Sequence, residues 1–346
     1  MAKGIEDTTF YRWHRLVALN EVGGDPTVLD HAGADVLHEW AGAQQESWPL
    51  GMTGLSTHDT KRSEDVRARL LAVAGDAKWW QRCSDLFWVV ADTHGVDHPT
   101  AHLLWQTLVG VGDISRDRLH DYLIKATREA KQRTAWIDGD EDYEARVLAL
   151  ADEAVAPGLL RDAVDAAGAA STEAIRATVL GQKLLQLLLP GVPDNYQGCE
   201  VLSLSLVDPD NRRPVDYDSC EKRLERLDSG EPADDLDDEK LLVTARALRL
   251  RSELESCFGD GATYEPLQTS TEHAVGFVRT GTVACVVARA PHRLADTGGW
   301  QEQTVSLPTG SWHEELTGRD FGGGEVRCAD LLDDLPVALL RRVVRG

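Results

Sequence analysis

The sequence has too few basic residues for a protein that works mainly on nucleic acid or on an anionic membrane. Lysine and arginine number 36 against 58 aspartates and glutamates, which gives a formal net charge of −22. Nucleic acids and anionic lipid surfaces attract proteins through positive charge on the protein. We therefore expect neither of them as the main partner.

Long apolar runs and paired cysteines are also missing. No run reaches the roughly 18 residues of a membrane span, and the first residues, MAKGIEDTTFYRWHRL, hold no apolar core of a signal peptide. The cysteines show no Cys-x-x-Cys pair and no histidine at metal-ligand spacing. Free thiols in a reducing cytoplasm are therefore expected. The six cysteines are Cys83, Cys199, Cys220, Cys257, Cys285 and Cys328.

What the sequence does contain is a mixture of short strands and long helices. Its 346 residues, 42% of them hydrophobic, suffice for about two or three domains. Residues 49–59 form a short, mostly uncharged run that predicts a buried parallel strand, whereas residues 64–170 keep the apolar spacing of helices. Beyond residue 260 the period changes to two, which predicts antiparallel strands, with Gly322–Gly324 as a turn.

These patterns predict an α/β fold with a large helical insertion. We expect the last βα units of a (β/α)8 TIM barrel, followed by a carboxyl-terminal antiparallel β-sandwich domain. In such a barrel the carboxyl ends of the strands carry the active site. The predicted domains are the barrel part with its His-Asp strand end at 1–63, the helical insertion at 64–170, the final barrel strand with its active-site loop and helix at 171–256, and the sandwich at 257–346.

One charged stretch, THDTKRSEDVRARL, follows the first predicted strand directly. His58 and Asp59 would lie at the carboxyl end of that strand, where barrel enzymes place their chemistry. Ser63 is a plausible cap for a helix that begins with two acidic residues, Glu64 and Asp65. A plain alternative is a surface turn whose cations and carboxylates are solvated. The residues by themselves leave both interpretations open.

A second polar strand end is predicted near Tyr196 and Gln197, and residues 206–218 form a polar loop with prolines. Asn195 departs from expectation, since an apolar residue would pack better there. In the helical block, four tryptophans at helical spacing are expected in the core: Trp79, Trp80, Trp88 and Trp105. Three histidines at i, i+4 and i+8 are separated by helix-breaking residues, so a metal site is not expected there; they are His94, His98 and His102.

Five blocks of the sequence, in order, resemble one enzyme family. They read MAKGIEDTTFYRWHRLVALNEVGGDP, STHDTKRSEDVRARL, DYLIKATREAKQRTAWID, PGVPDNYQGCE and SLVDPDNRRPVDY. Together the blocks resemble the malto-oligosyltrehalose synthases, which are (1→4)-α-D-glucan 1-α-D-glucosylmutases of the α-amylase superfamily. The resemblance is colinear over residues 1–217 and weakens through the tail.

The resemblance implies an isomerase that works by retaining intramolecular transglycosylation in trehalose biosynthesis. The reducing-end α-1,4 bond of a malto-oligosaccharide, derived from starch or glycogen, becomes an α,α-1,1 bond. The nucleophile and the acid/base carboxyl group stand roughly 5 Å apart in such enzymes, and a third carboxylate, matched by Asp59, stabilises the transition state. No cofactor and no metal are implied. The residues implied to bind sugar are His58, Lys61, Arg62, Tyr196, Gln197, Asp210, Asn211 and Arg212.

The sequence also departs from the family pattern. The nucleophile and the acid/base lie on earlier barrel strands, upstream of MAKGIED, so we expect this chain to be the carboxyl-terminal half and to be inactive alone. Its expected partners are a malto-oligosaccharide and the missing amino-terminal half. Two alternatives stay open: a glucan-binding protein without catalysis, and a truncated gene product without function.

Overall fold

The computed structural model describes residues 2–25 and 33–343. The chain divides into two compact units. The first comprises Met1–Pro26, Ser56–Thr172 and Leu204–Arg213, and the second comprises Thr27–Leu55, Glu173–Ser203 and Pro214–Gly346. The chain therefore passes between the units several times, and each unit is built from segments that are distant in sequence.

Among the described residues, helices dominate the first unit and every strand lies in the second. The α-helices are α1 Ala2–Phe10, α2 Ala34–Ser47, α3 Glu64–Ala74, α4 Ala77–His94, α5 His98–Val111, α6 Arg116–Ala130, α7 Glu141–Val155, α8 Leu159–Ala170, α9 Thr172–Leu188, α10 Tyr217–Asp228, α11 Leu236–Glu253, α12 Pro291–Asp296 and α13 Cys328–Leu331. The strands are β1 Met52–Thr53, β2 Val192–Pro193, β3 Tyr264–Pro266, β4 Ala274–Arg279, β5 Val283–Ala288, β6 Thr304–Glu314, β7 Asp320–Arg327 and β8 Val337–Val343.

The helices of the first unit begin where the sequence offers a capping side chain. Asp76, Asp97, Ser115 and Asp140 each accept a hydrogen bond from a backbone N–H in the first turn of α4, α5, α6 and α7 respectively. The helices bury one apolar core, and the tryptophan prediction is confirmed: Trp105 is fully buried and the other three are partly buried against the same core.

The predicted interruption of the three-histidine run is confirmed. Gly95, with φ of 66°, ends α4 directly after His94, and α5 begins at His98. Each histidine then takes a different partner: His94 pairs with Glu153 and His98 with Asp92, while His102 packs against the ring of Trp105.

The second unit contains a short parallel pair of strands. Met52 pairs with Val192 and Thr53 with Pro193, so the parallel pairing predicted for residues 49–59 is confirmed over two residues. The predicted burial is wrong, because the Met52 side chain is 79% exposed. Gly191 allows the close approach of the two segments, since a Cβ there would lie 2.6 Å from Cγ2 of Thr53.

The other six strands form one curled antiparallel sheet in the order β3-β4-β5-β8-β6-β7. Alternate residues of the central strands face two different apolar clusters, which accounts for the period of two. The turn predicted at Gly322–Gly324 is wrong, because these residues lie inside β7. A Cβ at Gly323 would lie 2.4 Å from the carbonyl oxygen of Pro308, so the absence of a side chain at this glycine lets β6 lie close to β7.

The combination of a helical region and a curled antiparallel sheet agrees with the broad prediction from the sequence. The division into four domains stays a prediction, with residues 64–170 inside the first unit and 257–346 inside the second. Within the described residues, no helix combines the length and the apolar character needed to cross a membrane.

Candidate active-site loops

The loop of residues 56–63 is a compact turn held by threonine hydroxyls. The backbone N–H of Asp59 donates to Oγ1 of Thr57 at 3.2 Å, and the backbone N–H of Thr60 donates to the carbonyl oxygen of Thr57 at 3.1 Å. The Thr60 hydroxyl is buried and lies 2.8 Å from the carbonyl oxygens of both Thr57 and Arg62. The turn therefore presents Asp59 from a backbone with fixed internal bonds.

His58 and Asp59 form a pair at the surface of this turn. Nε2 of His58 lies 3.1 Å from Oδ2 of Asp59, and their side chains are 63% and 21% exposed. A histidine at this distance can donate a hydrogen bond that fixes the orientation of the carboxylate, while part of the carboxylate stays open to solvent. The pair can thus offer hydrogen-bond acceptors to the hydroxyls of a ligand.

Lys61 turns its charge into the protein. Its φ of 64° reverses the backbone, and its Nζ forms an ion pair with Asp7 of α1. The ammonium also lies 5.8 Å from the centre of the Tyr11 ring, within the range of a cation–π contact. The neighbouring Arg62 is only 1% exposed and donates from Nη2 to the hydroxyl of Tyr122 at 2.7 Å.

The positions of Lys61 and Arg62 test the interpretation of the stretch as a solvated surface turn. The solvated alternative is wrong for both cations, because Lys61 and Arg62 are buried and bonded within the first unit. Their predicted contact with sugar stays a prediction, and the geometry favours a supporting role, since each cation is already used inside the protein. Glu64 and Asp65 do lie in the first turn of α3, where negative charge suits the helix dipole, but they are buried rather than solvated.

A second loop is clasped to the first. The N–H of Ser63 donates to the carbonyl oxygen of Ser205 at 3.1 Å, and the N–H of Ser205 donates to Oγ of Ser63 at 3.0 Å. Ser63 precedes α3 as predicted, but its hydroxyl accepts from Ser205 instead of capping the helix by a side-chain bond. The clasp brings the segment that carries Asp210 to the loop that carries Asp59.

Asp210 organises the second loop from inside. It is 8% exposed; its Oδ2 accepts from the N–H of Leu206 at 3.1 Å, and its Oδ1 accepts from Arg118 and Arg213 at 2.8 Å each. Arg212 is exposed and pairs with Asp208 at 2.8 Å. Oδ1 of Asn211 is buried without a hydrogen-bond partner among the described residues. Sugar binding by this loop stays a prediction, and Asp210 is engaged in holding the loop together.

The two remaining predicted residues, Tyr196 and Gln197, belong to the second unit and are exposed there. They precede Gly198, whose φ of 80° turns the chain. Asn195 has a partner that explains the departure from an apolar residue: its Oδ1 accepts from Nζ of Lys183 at 3.0 Å, and Lys183 is completely buried. A polar residue suits this position, because a buried cation needs such an acceptor.

Three residues that support the first loop were missed by the sequence analysis: Asp7, Tyr122 and Ser205. They lie 54, 60 and 142 residues from the partners that they bind, so no local pattern could reveal them. As for metals, the part of the chain that the structure describes contains no group of three or more His, Cys, Asp or Glu side chains able to hold an ion. The arrangement offers a carboxylate with its histidine on a braced turn, which suits the holding of hydroxyl groups.

Known proteins contain a segment that is similar to this chain in sequence and in structure. A curated protein of Mycobacterium tuberculosis, named "Putative maltooligosyl trehalose synthase", is 40% identical over 99% of this chain and 44% of its own length. The solved structure of maltooligosyltrehalose synthase from Arthrobacter ramosus matches with 42% identity and a TM-score of 0.91, over 99% of this chain and 45% of that one. The chain is a homologue of the maltooligosyl trehalose synthases. The resemblance found in the sequence is thereby confirmed, and the chain corresponds to the carboxyl-terminal half.

A more distant relative has the same fold. The crystal structure of a hypothetical maltooligosyl trehalose synthase from Sulfolobus tokodaii is 28% identical, with a TM-score of 0.79 over 98% of this chain and 45% of its own. No protein-family model matches the sequence. The chain thus spans less than half the length of the relatives that it matches.

Proposed function

We propose that this chain supplies the transition-state-stabilising side of a glucosylmutase active site. The proposed reaction converts the reducing-end α-1,4 bond of a malto-oligosaccharide into an α,α-1,1 bond by retaining intramolecular transglycosylation, in cytoplasmic trehalose biosynthesis. The observation that carries the proposal is the 40–42% identity to maltooligosyl trehalose synthases over nearly the whole chain. As an isomerase of this kind, the enzyme needs no cofactor.

In the proposed mechanism Asp59 is the third carboxylate. It accepts hydrogen bonds from sugar hydroxyls, and these bonds strengthen as positive charge develops on the ring in the transition state. His58 holds the carboxylate in place, and the internal bonds of residues 56–63 keep the turn from rearranging. The nucleophile and the acid/base would come from the amino-terminal half, so this chain alone is proposed to be inactive.

The proposed partner is that amino-terminal half, and an exposed apolar patch in the second unit supports it. The patch surrounds the two-residue parallel pair and consists of Trp48, Leu50, Met52 and Val192, which are 48–79% exposed. A sheet of two strands with two residues each is too small to be stable by itself, and the edges of such a pair can accept further strands. We propose that barrel strands of the partner half cover this patch and complete the barrel.

Reconstitution tests the proposal directly. The chain is produced with the amino-terminal half of a related synthase, and maltopentaose is assayed for the appearance of a non-reducing product. We expect product from the mixture and none from this chain alone. Asp59→Asn should lower the rate about 10²-fold or more, the loss typical of removing one preorganised stabilising group. Asp113→Asn is the matched control, since the Asp113 carboxylate in the same unit is fully exposed.

Two outcomes would contradict the proposal. Turnover by this chain alone would mean that a complete set of catalytic groups lies within it. A reconstituted enzyme in which Asp59→Asn and Asp113→Asn are equally active would remove Asp59 from the mechanism. Binding of maltopentaose without product in any mixture would instead favour the alternative of a glucan-binding protein.

A further inference from the structure

A tryptophan outside the predicted site is held rigidly at the surface of the first unit. Trp136 is 56% exposed, which is unusual for a side chain of this size. Its Nε1 donates to Oε1 of Glu129 at 2.9 Å, and the guanidinium carbon of Arg128 lies 5.2 Å from the ring centre. Because one face of the ring carries Arg128, the exposed area belongs to the opposite face and the edge.

The residues that hold the ring are themselves braced. Arg128 donates to both carboxylate oxygens of Glu144, at 2.8 and 2.6 Å, and Glu144 also accepts from the hydroxyl of Thr134 at 2.6 Å. The same hydroxyl accepts from the N–H of Asp140, which closes the turn that carries the ring. The ring therefore has little freedom to lose when a ligand binds, which favours binding.

Helix α1 connects this ring to the Asp59 loop. Asp7 of α1 binds Lys61, which follows Asp59 by two residues. Thr8, the next residue of α1, accepts from Nζ of Lys131 at 3.4 Å, just before the turn that carries Trp136. Helix α1 thus contacts the Asp59 loop through Asp7 and the segment before Trp136 through Thr8.

We propose that Trp136 is a sugar-binding platform on which a glucose unit of the malto-oligosaccharide stacks. A pyranose ring has an apolar face of C–H groups and a rim of hydroxyls, which fits an open indole face bordered by charged side chains. A stable protein interface buries a much larger area than Trp136 and the adjacent, exposed Ile137 provide together. The inference deepens the proposed function, since it takes a glucan as the ligand.

Calorimetric titration of this chain with maltoheptaose tests the platform. Trp136→Ala should weaken binding about tenfold, which corresponds to about 1.4 kcal/mol, within the range for one aromatic contact. Trp136→Phe should recover most of the affinity. The matched control is Ile137→Ala, because Ile137 is the adjacent apolar residue and is 80% exposed but has no aromatic face; it should bind like the unchanged chain.

The outcomes separate this inference from the proposed function. Absence of binding by the unchanged chain would overturn the platform, because the ring is already presented there. Equal losses in Trp136→Ala and Ile137→Ala would overturn it as well, and would indicate an apolar docking surface. In the reconstituted enzyme, Trp136→Ala should raise KM with little change in kcat. Trp136-dependent binding in an enzyme that forms no trehalose product would refute the function and leave the platform standing.

Discussion

Removal of one hydroxyl group tests whether Arg62 supports the candidate loop from inside. Tyr122→Phe deletes the acceptor that lies 2.7 Å from Nη2 of Arg62 and keeps the aromatic ring, whose centre lies 5.9 Å from the guanidinium carbon. The cation–π contact should survive, so the change isolates a single hydrogen bond. Nε of Arg62 is already buried without a hydrogen-bond partner among the described residues, so the guanidinium has little left to replace the loss.

The magnitude follows from the burial of both partners, which are 1% and 3% exposed. A hydrogen bond to a charged group contributes about 1.5–3 kcal/mol, and its loss inside a protein leaves the charge partly unsatisfied. We expect Tyr122→Phe to lower the free energy of unfolding by about that amount in urea titrations. Tyr217→Phe, at a 58% exposed tyrosine, should change it by less than about 0.5 kcal/mol. A similarly small change for Tyr122→Phe would refute the supporting role.

Three further predictions concern pH, a buried cation and the partner surface. Burial lowers the pKa values of His14 and His102 below the ordinary 6.5, so the unfolded chain binds more protons than the folded chain below pH 6.5. The free energy of unfolding should therefore be full above pH 6.5 and fall as the pH drops through the lowered pKa values. Urea midpoints that are constant from about pH 8 to about pH 5 would contradict this. Asn195→Leu should destabilise the chain by about 1–3 kcal/mol because buried Lys183 loses an acceptor; a stabilised variant would mean that apolar packing matters more there. Met52→Lys should reduce pull-down by the amino-terminal half and leave the urea midpoint of this chain unchanged, because the side chain is exposed; unaltered pull-down would exclude the patch as the contact.

The parts of the fold that the sequence predicts are those with a local physical cause. The helical block of residues 64–170 is visible because its apolar spacing lies within the local sequence, whereas the one predicted cap, Ser63, makes no side-chain bond to its helix. The strands β4 and β5 are visible because alternate residues must face different clusters. The Gly322–Gly324 error has the opposite origin, since glycine marks either a turn or a close approach, and only the position of Pro308 decides between them.

The sequence puts forward a candidate site, which stays a prediction, but it could not reveal the bonds that hold the loops of that site together. The resemblance identified Asp59, and its neighbour His58 follows from adjacency. The contact between Ser63 and Ser205 joins residues 142 positions apart, and no pattern of spacing carries that information. The same holds for Lys183, whose need for Asn195 as an acceptor appears only once the lysine is known to be buried.

The reversal of the backbone at Lys61 explains how one charged stretch serves two purposes. A backbone φ of 64° is crowded and rare for residues other than glycine. The conformation of Lys61 therefore costs free energy, which the ion pair with Asp7 offsets. Residues before the reversal, His58 and Asp59, stay at the surface, whereas Arg62 after it enters the core. The buried cations therefore anchor the backbone that follows Asp59, and a glycine at position 61 would permit the turn without that anchor.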